Sequence, residues 1–453
     1  MSGLATLSTL ECQRARMARD ARFDGRFYVA VKSTGIFCRP ICPANLPKEE
    51  NVEYFIDKAQ ALQAGYRPCL RCKPDSAPSS WAWKGVETTL YRALQLIEQG
   101  ELQSHSLAQL ATRLGISDRY LRQLFQTHLG MAPKQYAQYQ QLMFAKHLLH
   151  SSSMSVTDIA FASGFNSVRR FNDAFKQILK LTPSQVRKQK QENMDTNYID
   201  LAYQGPLDWP RMLDFYRLRA IEGLEKVDDK SYQRTFLLDG CAGWFRISQH
   251  KVGVMRVEFT LEDTKLVKKL VNQLRRMFDL DSDVLSIENQ LHQLDANFVQ
   301  HSGIRIPGVW NCWEAGVRAI LGQQVSIKAA IGQLNLLAQT LQPEGVTHFP
   351  TAQDIAGSDL SFLRMPQSRK ETLARFAQIM SQTPDIALEE WLKIKGIGPW
   401  TVNYARLRGA SEPNCFLEGD LVVKKALVHF PSITKETVSP WGSYATFHCW
   451  SHA

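Results

Sequence analysis

Four cysteines near the amino terminus have the spacing of a metal site. Cys38 and Cys42 are separated by three residues, and Cys69 and Cys72, which follow after 26 intervening residues, are separated by two. Two close-spaced thiol pairs can meet on one tetrahedral ion, and such a set predicts one bound zinc. Four thiolates on a divalent zinc leave a formal charge of −2, so an exposed sulfur among them would be a strong nucleophile.

Disulfide bonds are the alternative use of these thiols. The chain has nine cysteines, an odd number, and its first ten residues carry no basic cluster ahead of an apolar run, so no signal peptide is expected. No stretch approaches the ~18 consecutive apolar residues of a membrane helix. These features predict a cytoplasmic protein without a membrane segment and favour metal binding, which would also stabilise a block of only about 75 residues.

A second set of candidate residues lies near the carboxyl terminus. Gly396 and Gly398 precede a predicted helix that begins at about Pro399, and Asp420 follows 22 residues after Gly398. Glycines let the backbone approach a ligand, and a helix amino terminus offers free N–H groups to a phosphate. Asp420 could cap the following helix, and such a cap is compatible with a chemical role for its carboxylate.

An internal repeat predicts the helices of the middle of the chain. Gly115 breaks one helix and Ser117 is placed to cap the next, and Gly164 and Ser167 repeat this arrangement 49 and 50 residues later. The repeat indicates two helix-turn-helix units, with second helices at about 118–127 and 167–179. A long helix over 135–149, ~22 Å in length, could set them near one DNA turn, ~34 Å, apart. A plain helical bundle is the alternative.

Length and composition indicate about three domains in a globular chain. The 453 residues are 44% hydrophobic and 22% charged. The net charge of +10 is concentrated in residues 1–200, where 26 Lys+Arg against 17 Asp+Glu give +9; residues 201–453 hold 28 against 27, or +1. The amino-terminal half is therefore expected to face a polyanion.

Polar runs at 74–80 and 188–195 predict linkers. We expect a multidomain, mainly α protein. Its predicted parts are a small α+β zinc domain at 1–78, a double helix-turn-helix domain at 82–190, an α+β subdomain at 197–300 and an all-helical domain at 301–453.

The cysteine region resembles the zinc domain of the Ada-type methylation-response proteins. The resemblance rests on residues 33–43 (STGIFCRPICP), 51–55 (NVEYF) and 64–72 (AGYRPCLRC). It implies that Cys38 takes a methyl group irreversibly from a methylphosphotriester in DNA. Methylation would change the cluster charge from −2 to −1 and so raise its affinity for DNA. Thr34, Arg67 and Arg71 are the candidate DNA contacts in this domain, where Arg39 and Lys73 add to a basic rim.

The middle block resembles the AraC-type DNA-binding domain over about 85–188, which implies that its second helices enter the major groove. The candidate contacts are Arg119, Arg122, Arg169 and Arg170, each of which could equally be a solvated surface charge. Ada proteins usually end in an alkyltransferase domain with a Pro-Cys-His-Arg motif, which is absent from this sequence. The four cysteines of the last block, Cys241, Cys312, Cys415 and Cys449, are expected to be buried thiols.

The last block resembles 3-methyladenine DNA glycosylase II, the AlkA type of the helix-hairpin-helix superfamily, over about 198–450. The resemblance rests on residues 205–209 (GPLDW), 316–326 (GVRAILGQQVS) and 392–405 (LKIKGIGPWTVNYA), with Asp420 downstream. It implies that Gly396 and Gly398 belong to a hairpin that grips DNA and that Asp420 is catalytic. Trp400 stands where strand-cleaving members hold a lysine, so hydrolytic excision without a Schiff base is expected.

A pocket of aromatic faces suits alkylated bases, which carry positive charge. The resemblance places Trp400, Tyr404 and Trp450 in that pocket. Gln324 occupies the position where the family often wedges a leucine into the DNA, and Ser451 replaces an aromatic residue. Both departures bear on substrate range.

The combined expectation is a methylation sensor, transcription activator and alkylbase glycosylase with no organic cofactor. Double-stranded DNA is the predicted partner, together with RNA polymerase, and the protein is expected to be a monomer at the bacterial nucleoid. Two alternatives stay open. One is a regulator whose last domain binds DNA without excision, and the other is a glycosylase for oxidised bases, which would usually carry the missing lysine.

Overall fold

A computed structural model describes residues 9–19, 27–69, 71, 72, 74, 88–98, 100–187 and 196–452. The chain divides into two compact units, an amino-terminal unit of residues 1–199 with 264–269 and a carboxyl-terminal unit of 200–263 with 270–453. Both predicted linkers fall almost wholly outside the described residues, so the four domain boundaries remain predictions. No helix in the described part of the chain is long and apolar enough to cross a membrane.

A four-stranded sheet carries the cysteines. The elements are α1 Thr9–Ala18, β1 Tyr28–Val31, β2 Ile36–Cys38, β3 Val52–Phe55, α2 Lys58–Gln63 and β4 Arg67–Pro68, with a 3-10 helix at Glu49–Asn51. The strand order is β3-β1-β2-β4, and β2 pairs in parallel with β4. Cys38 ends β2 and Cys69 directly follows β4, so the parallel register brings one cysteine of each pair to the same end of the sheet.

Eight helices form the rest of the described amino-terminal unit up to residue 187. They are α3 Thr88–Glu98, α4 Glu101–Ser104, α5 Leu107–Arg113, α6 Asp118–Leu129, α7 Pro133–Ser151, α8 Val156–Ala162, α9 Val168–Leu179 and α10 Pro183–Val186. Ser117 caps α6 and Ser167 caps α9 through their side-chain oxygens, as the repeat predicts. The long helix between the two helix-turn-helix repeats is confirmed as α7, which is four residues longer than predicted.

A five-stranded sheet with flanking helices follows. The elements are β5 Asn197–Ala202, α11 Trp209–Arg217, β6 Glu225–Val227, β7 Ser231–Leu238, β8 Cys241–Lys251, β9 Val254–Leu261, α12 Val267–Met277 and α13 Val284–Leu294, with a 3-10 helix at Thr264–Leu266. The strand order is β5-β9-β8-β7-β6, and β6, β7, β8 and β9 pair antiparallel in succession. This combination of strands and helices confirms the predicted α+β subdomain.

The last part is helical, as predicted from Trp310 onward. Its helices are α14 Cys312–Gly322, α15 Ile327–Leu341, α16 Ala352–Ala356, α17 Gln367–Gln382, α18 Pro399–Tyr404, α19 Leu421–Leu427 and α20 Gly442–Ser451. One expectation is wrong in detail. The helix expected before the Gly396 turn is a 3-10 helix, Leu388–Lys393, a form that is common in short connecting segments.

A buried ionic network joins the sheet to the helices within the carboxyl-terminal unit. Arg234 of β7 donates to Glu225 at 3.2 Å and to Glu314 of α14 at 3.0 Å, and Arg318 donates to the same two carboxylates at 2.8 Å each. All four side chains are at most 5% exposed. The two arginines and two glutamates have no net charge together, and buried charges are tolerated only when they are paired in this way.

Candidate functional site

The four predicted metal ligands converge on one point. The Sγ atoms of Cys38, Cys42, Cys69 and Cys72 all lie within 4.8 Å of one another. Zinc–sulfur bonds of about 2.3 Å in a tetrahedron require sulfur separations near 3.8 Å, so the arrangement fits a zinc ion. Hydrogen bonds with Cys42, Cys69 and Cys72, together with burial, raise the pKa of the Cys38 thiol, so four adjacent thiolates need a cation among them.

Exposure separates Cys38 from the other three cysteines. Cys42, Cys69 and Cys72 are buried at 8 to 9% exposure, whereas Cys38 is only partly buried. The backbone N–H of Arg39 donates to Cys72 Sγ at 3.3 Å, which stabilises negative charge on that sulfur and makes it a weaker nucleophile. The least buried cysteine of the four is therefore the one at the predicted acceptor position.

The predicted DNA contacts of the zinc region differ in their exposure. Thr34 and Arg71 are exposed, and Arg67 is partly buried. The Arg67 backbone N–H donates to Gly35 O at 2.8 Å, which ties the turn after β1 to β4. Lys73 lies outside the described residues. Arg71 is next to Cys72 in the chain, whereas Thr34 precedes β2 and Arg67 begins β4, at the opposite ends of these strands from Cys38 and Cys69. Contact of the three residues with DNA stays a prediction.

The four arginines of the second helices are all exposed. Arg119 and Arg122 lie on α6, and Arg169 and Arg170 lie on α9. Arg122 also pairs with Asp118 at 3.3 Å, an exposed ion pair that a phosphate could displace. The structure places these side chains on the helices predicted to read DNA, without testing the contacts.

Asp420 is the N-cap of α19, and its carboxylate has a further partner. Asp420 Oδ1 accepts hydrogen bonds from the backbone N–H groups of Val422 at 2.9 Å and Val423 at 3.2 Å, and from Trp450 Nε1 at 3.1 Å. The capping role is confirmed. Because all three donors reach Oδ1, Oδ2 has no hydrogen bond within the described part of the chain and is available to a ligand.

The three predicted pocket aromatics are connected through residues that the sequence interpretation missed. Trp400 stacks on Tyr404 with ring centroids 5.4 Å apart, and Trp450 stacks on Phe215 of α11 at 6.2 Å. Arg408 links the two pairs: its guanidinium lies 4.7 Å from the Phe215 ring and donates to Tyr404 Oη at 2.9 Å. Trp450 also lines a small open cavity of about 90 Å³ with Ser451 and Phe215.

The two hairpin glycines have different structural roles. Gly396 has φ +97°, and a Cβ there would lie 1.9 Å from Thr372 Oγ1, so only glycine fits. Gly398 has ordinary backbone angles, and a Cβ there would meet open space. Packing therefore explains Gly396, whereas Gly398 leaves room for an external ligand.

The loop between α14 and α15 is tied to this hairpin. Gln323 Nε2 donates to Thr401 Oγ1 at 3.2 Å and to Gly396 O at 3.4 Å. Gln324 follows at the loop apex, exposed and with φ +54°. The side chain of Gln323 thus links the loop that carries Gln324 to the hairpin that is predicted to bind a DNA phosphate.

Three family models match the chain in succession. The metal binding domain of Ada matches residues 11–75, a helix-turn-helix domain matches 110–189 and the AlkA N-terminal domain matches 198–311. A Mycobacterium tuberculosis protein named "Probable bifunctional transcriptional activator/DNA repair enzyme AlkA" is 31% identical over 97% of this chain and 95% of its own length. This chain belongs to the same bifunctional AlkA family.

Two further relatives each match only part of this chain. DNA-3-methyladenine glycosylase 2 of Escherichia coli is 31% identical over 55% of this chain and 95% of its own length. The bifunctional transcriptional activator/DNA repair enzyme AdaA of Bacillus subtilis is 33% identical over 42% of this chain and 87% of its own length.

The four cysteines of the carboxyl-terminal unit differ in how far they are buried. Cys415 and Cys449 are buried, and burial raises the pKa of each thiol to about 12. Cys241 and Cys312 are partly buried rather than buried, and burial also raises the pKa of Cys312. The expectation of buried thiols is therefore right for two of the four and only partly right for Cys241 and Cys312, which lie at a strand start and a helix start.

Proposed function

We propose that this protein repairs and senses DNA alkylation by two chemistries. Cys38 accepts a methyl group from a DNA methylphosphotriester, and the carboxyl-terminal block removes alkylated bases of the 3-methyladenine type by hydrolysis. Two observations support these chemistries most directly. Cys38 is the one partly buried cysteine in a cluster whose other three members are buried, and Asp420, which binds Trp450, accepts all three of its hydrogen bonds on Oδ1.

The methyl transfer is a single displacement at carbon. The Cys38 thiolate attacks the methyl carbon, the new S–C bond forms as the C–O bond breaks, and the electron pair stays on the phosphate oxygen. Cys38, Cys42, Cys69 and Cys72 would hold a zinc ion, which when bound would keep these thiols deprotonated at neutral pH. Because a thioether does not readily give up its methyl group to another nucleophile, each molecule reacts once.

Base excision breaks the bond between the sugar carbon and the base nitrogen. The departing base takes the electron pair, and positive charge develops on the sugar. Oδ2 of Asp420 is the oxygen that meets this charge or the attacking water, since Oδ1 is held by three donors. Trp400 cannot form a Schiff base, so the DNA strand is left intact at an abasic site.

The regulatory role follows from the charge of the thiol cluster. Methylation of Cys38 lowers the formal negative charge from −2 to −1, which reduces repulsion from DNA phosphates. The double helix-turn-helix domain then holds the protein on its promoter, where it acts on RNA polymerase. We propose that it acts as a monomer in the cytoplasm at the nucleoid.

One experiment tests both chemistries together. The pure protein is incubated with methylated duplex DNA, released bases are separated by chromatography, and methyl groups on the protein are counted by mass spectrometry. We expect free methylated purines and one methyl on Cys38. Methyl transfer without any released base would instead support a regulator whose last domain only binds DNA.

A further inference from the structure

A cavity of about 600 Å³ lies in the amino-terminal unit, beside the helix α7 that joins the two helix-turn-helix repeats. Side chains from α4, α7 and the start of α9 line it, together with Lys268, which belongs to the same unit although it comes later in the chain. Lys134, Arg170 and Lys268 are cations, and no aspartate or glutamate is among the described lining residues. The volume is typical of small-molecule sites, ~300–1,000 Å³, and the charge favours an anion.

Lys268 is the buried cation of this cavity. Its side chain is 9% exposed, whereas Lys134 and Arg170 are exposed. Within the described part of the chain Lys268 makes no hydrogen bond or ion pair, while carbonyl oxygens accept from the buried Arg305 and Arg408. Lys268 also lies in the first turn of α12, where the helix dipole disfavours positive charge. A desolvated ammonium in this position is costly unless an anion approaches it.

One carboxylate affects Lys268 without pairing with it. Burial lowers the pKa of Lys268 to about 8, and the charge of Glu98 opposes this shift. Glu98 Oε1 instead accepts hydrogen bonds from Tyr136 Oη at 2.9 Å and from Gln140 Nε2 at 3.2 Å. The Lys268 ammonium therefore stays mostly charged at neutral pH, and its N–H groups have no acceptor within the described ranges.

Two glutamine side chains add neutral donors to the same cavity. A Cβ on Gly164 would lie 2.7 Å from Gln103 Nε2 and 2.8 Å from Gln141 Nε2, so both amides pack against this glycine. A Cβ on Gly115, the corresponding glycine of the first repeat, would meet nothing within 4 Å. The second repeat thus differs from the first in holding two amide groups against its turn.

We propose that this cavity binds a phosphate group, with Lys268 as the buried cation and Lys134, Arg170 and the two amides as further donors. Phosphate suits the site because its oxygens accept from ammonium, guanidinium and amide groups together. The group belongs either to a DNA strand that passes the start of α9 or to a soluble phosphate ester. Lys268 lies outside residues 110–189, so the helix-turn-helix match does not include this site.

Titration of the full-length protein with inorganic phosphate, measured by calorimetry, tests the site without DNA. Lys268→Gln removes the buried charge and should weaken phosphate binding about tenfold, the effect of one lost charge-assisted hydrogen bond. Gln141→Met removes a donor without changing the charge and should weaken binding about threefold. Lys269→Gln is the matched control, because it removes the same charge at the next, exposed position and should keep the wild-type affinity.

The salt dependence of duplex DNA binding identifies the source of the phosphate. If a DNA phosphate fills the cavity, Lys268→Gln should lower the slope of log affinity against log salt by about one, and Lys269→Gln should not. Weaker binding of inorganic phosphate with an unchanged slope would assign the site to a soluble ester. The phosphate site is overturned if Lys268→Gln matches Lys269→Gln in both measurements and Gln141→Met binds phosphate like the wild type.

Discussion

Trp450 Nε1 donates a hydrogen bond to Asp420 Oδ1 at 3.1 Å. The two residues are 30 positions apart, on α20 and at the start of α19, and the bond makes the indole part of the carboxylate's support. Trp450 is in turn held by Phe215 and by Phe447, whose ring meets the indole edge-to-face at 5.0 Å. An aromatic residue predicted to hold the base therefore also orients the acid.

Asp420→Asn tests whether this carboxylate is more than a cap. The amide keeps the size of the side chain and an oxygen for the α19 N–H groups, so folding and DNA binding should survive. Loss of the charge should lower the single-turnover excision rate on the order of 10²-fold or more. Asp283→Asn is the control, because Asp283 caps α13 in the same way, through Ser286 N. A wild-type rate for Asp420→Asn would remove it from catalysis.

Trp450→Phe tests the support that the indole gives to the acid. Phenylalanine keeps an aromatic face for Phe215 but has no N–H donor for Asp420. We expect the single-turnover rate at saturating enzyme to fall about tenfold, since one hydrogen bond to a charged group is worth roughly 1.5–3 kcal/mol and part is replaced by water. In the Asp420→Asn background the same substitution should cost much less. Equal losses in both backgrounds would assign Trp450 to base stacking alone.

Cys38 should carry all of the transferred methyl, and one zinc should be bound per chain. Cys38→Ser should abolish transfer, while Cys312→Ser, outside the cluster, should transfer methyl normally. Peptide mass spectrometry locates the methyl, and metal analysis of the purified protein counts the zinc. A methyl found on Cys69 or Cys72, or a protein without zinc, would contradict the assignment.

Methylated protein should bind its operator more tightly than unmethylated protein, because the cluster loses one negative charge near the DNA phosphates. Gel-shift titrations at matched salt measure the two affinities. The gain should shrink as salt rises, and Cys38→Ser protein exposed to methylated DNA should show none. Identical affinities for the two forms at low salt would argue against the charge mechanism.

The local part of this structure could be predicted from sequence, and the long-range part could not. The caps Ser117 and Ser167 act on N–H groups three residues away, and the cysteine pairs are close in the chain, so both leave a short-range pattern. Arg408 and Phe215 are 193 positions apart, and Arg234 and Glu314 are 80 apart. Nothing in either local sequence indicates such a partner, because the pairing depends on how the sheet and helices pack.

His448 gives the carboxyl-terminal unit a specific dependence on pH. Its ring is fully buried, and neither nitrogen has a hydrogen-bond partner among the described residues. Burial, with smaller contributions from His452, His301 and Arg211, lowers its pKa to about 3. In the unfolded chain His448 therefore binds a proton near pH 6.5, whereas in the folded chain it stays neutral until about pH 3. As pH falls below that value, the free energy of unfolding should decrease by up to ~1.4 kcal/mol per unit until about pH 3.

His448→Leu should remove this component of the pH dependence and raise stability at pH 5, because leucine fills a similar volume without a site for the proton. Urea unfolding at pH 7 and pH 5, followed by tryptophan fluorescence, measures it, since eight of the ten tryptophans lie in the carboxyl-terminal unit. The exposed His292 provides the control: His292→Leu should leave the difference between the two pH values as it is in the wild type. If His448→Leu keeps the full wild-type difference in unfolding free energy between pH 7 and pH 5, the His448 ring is protonated in the folded protein at pH 5. Burial of this ring without a hydrogen-bond partner is then not the cause of the acid sensitivity.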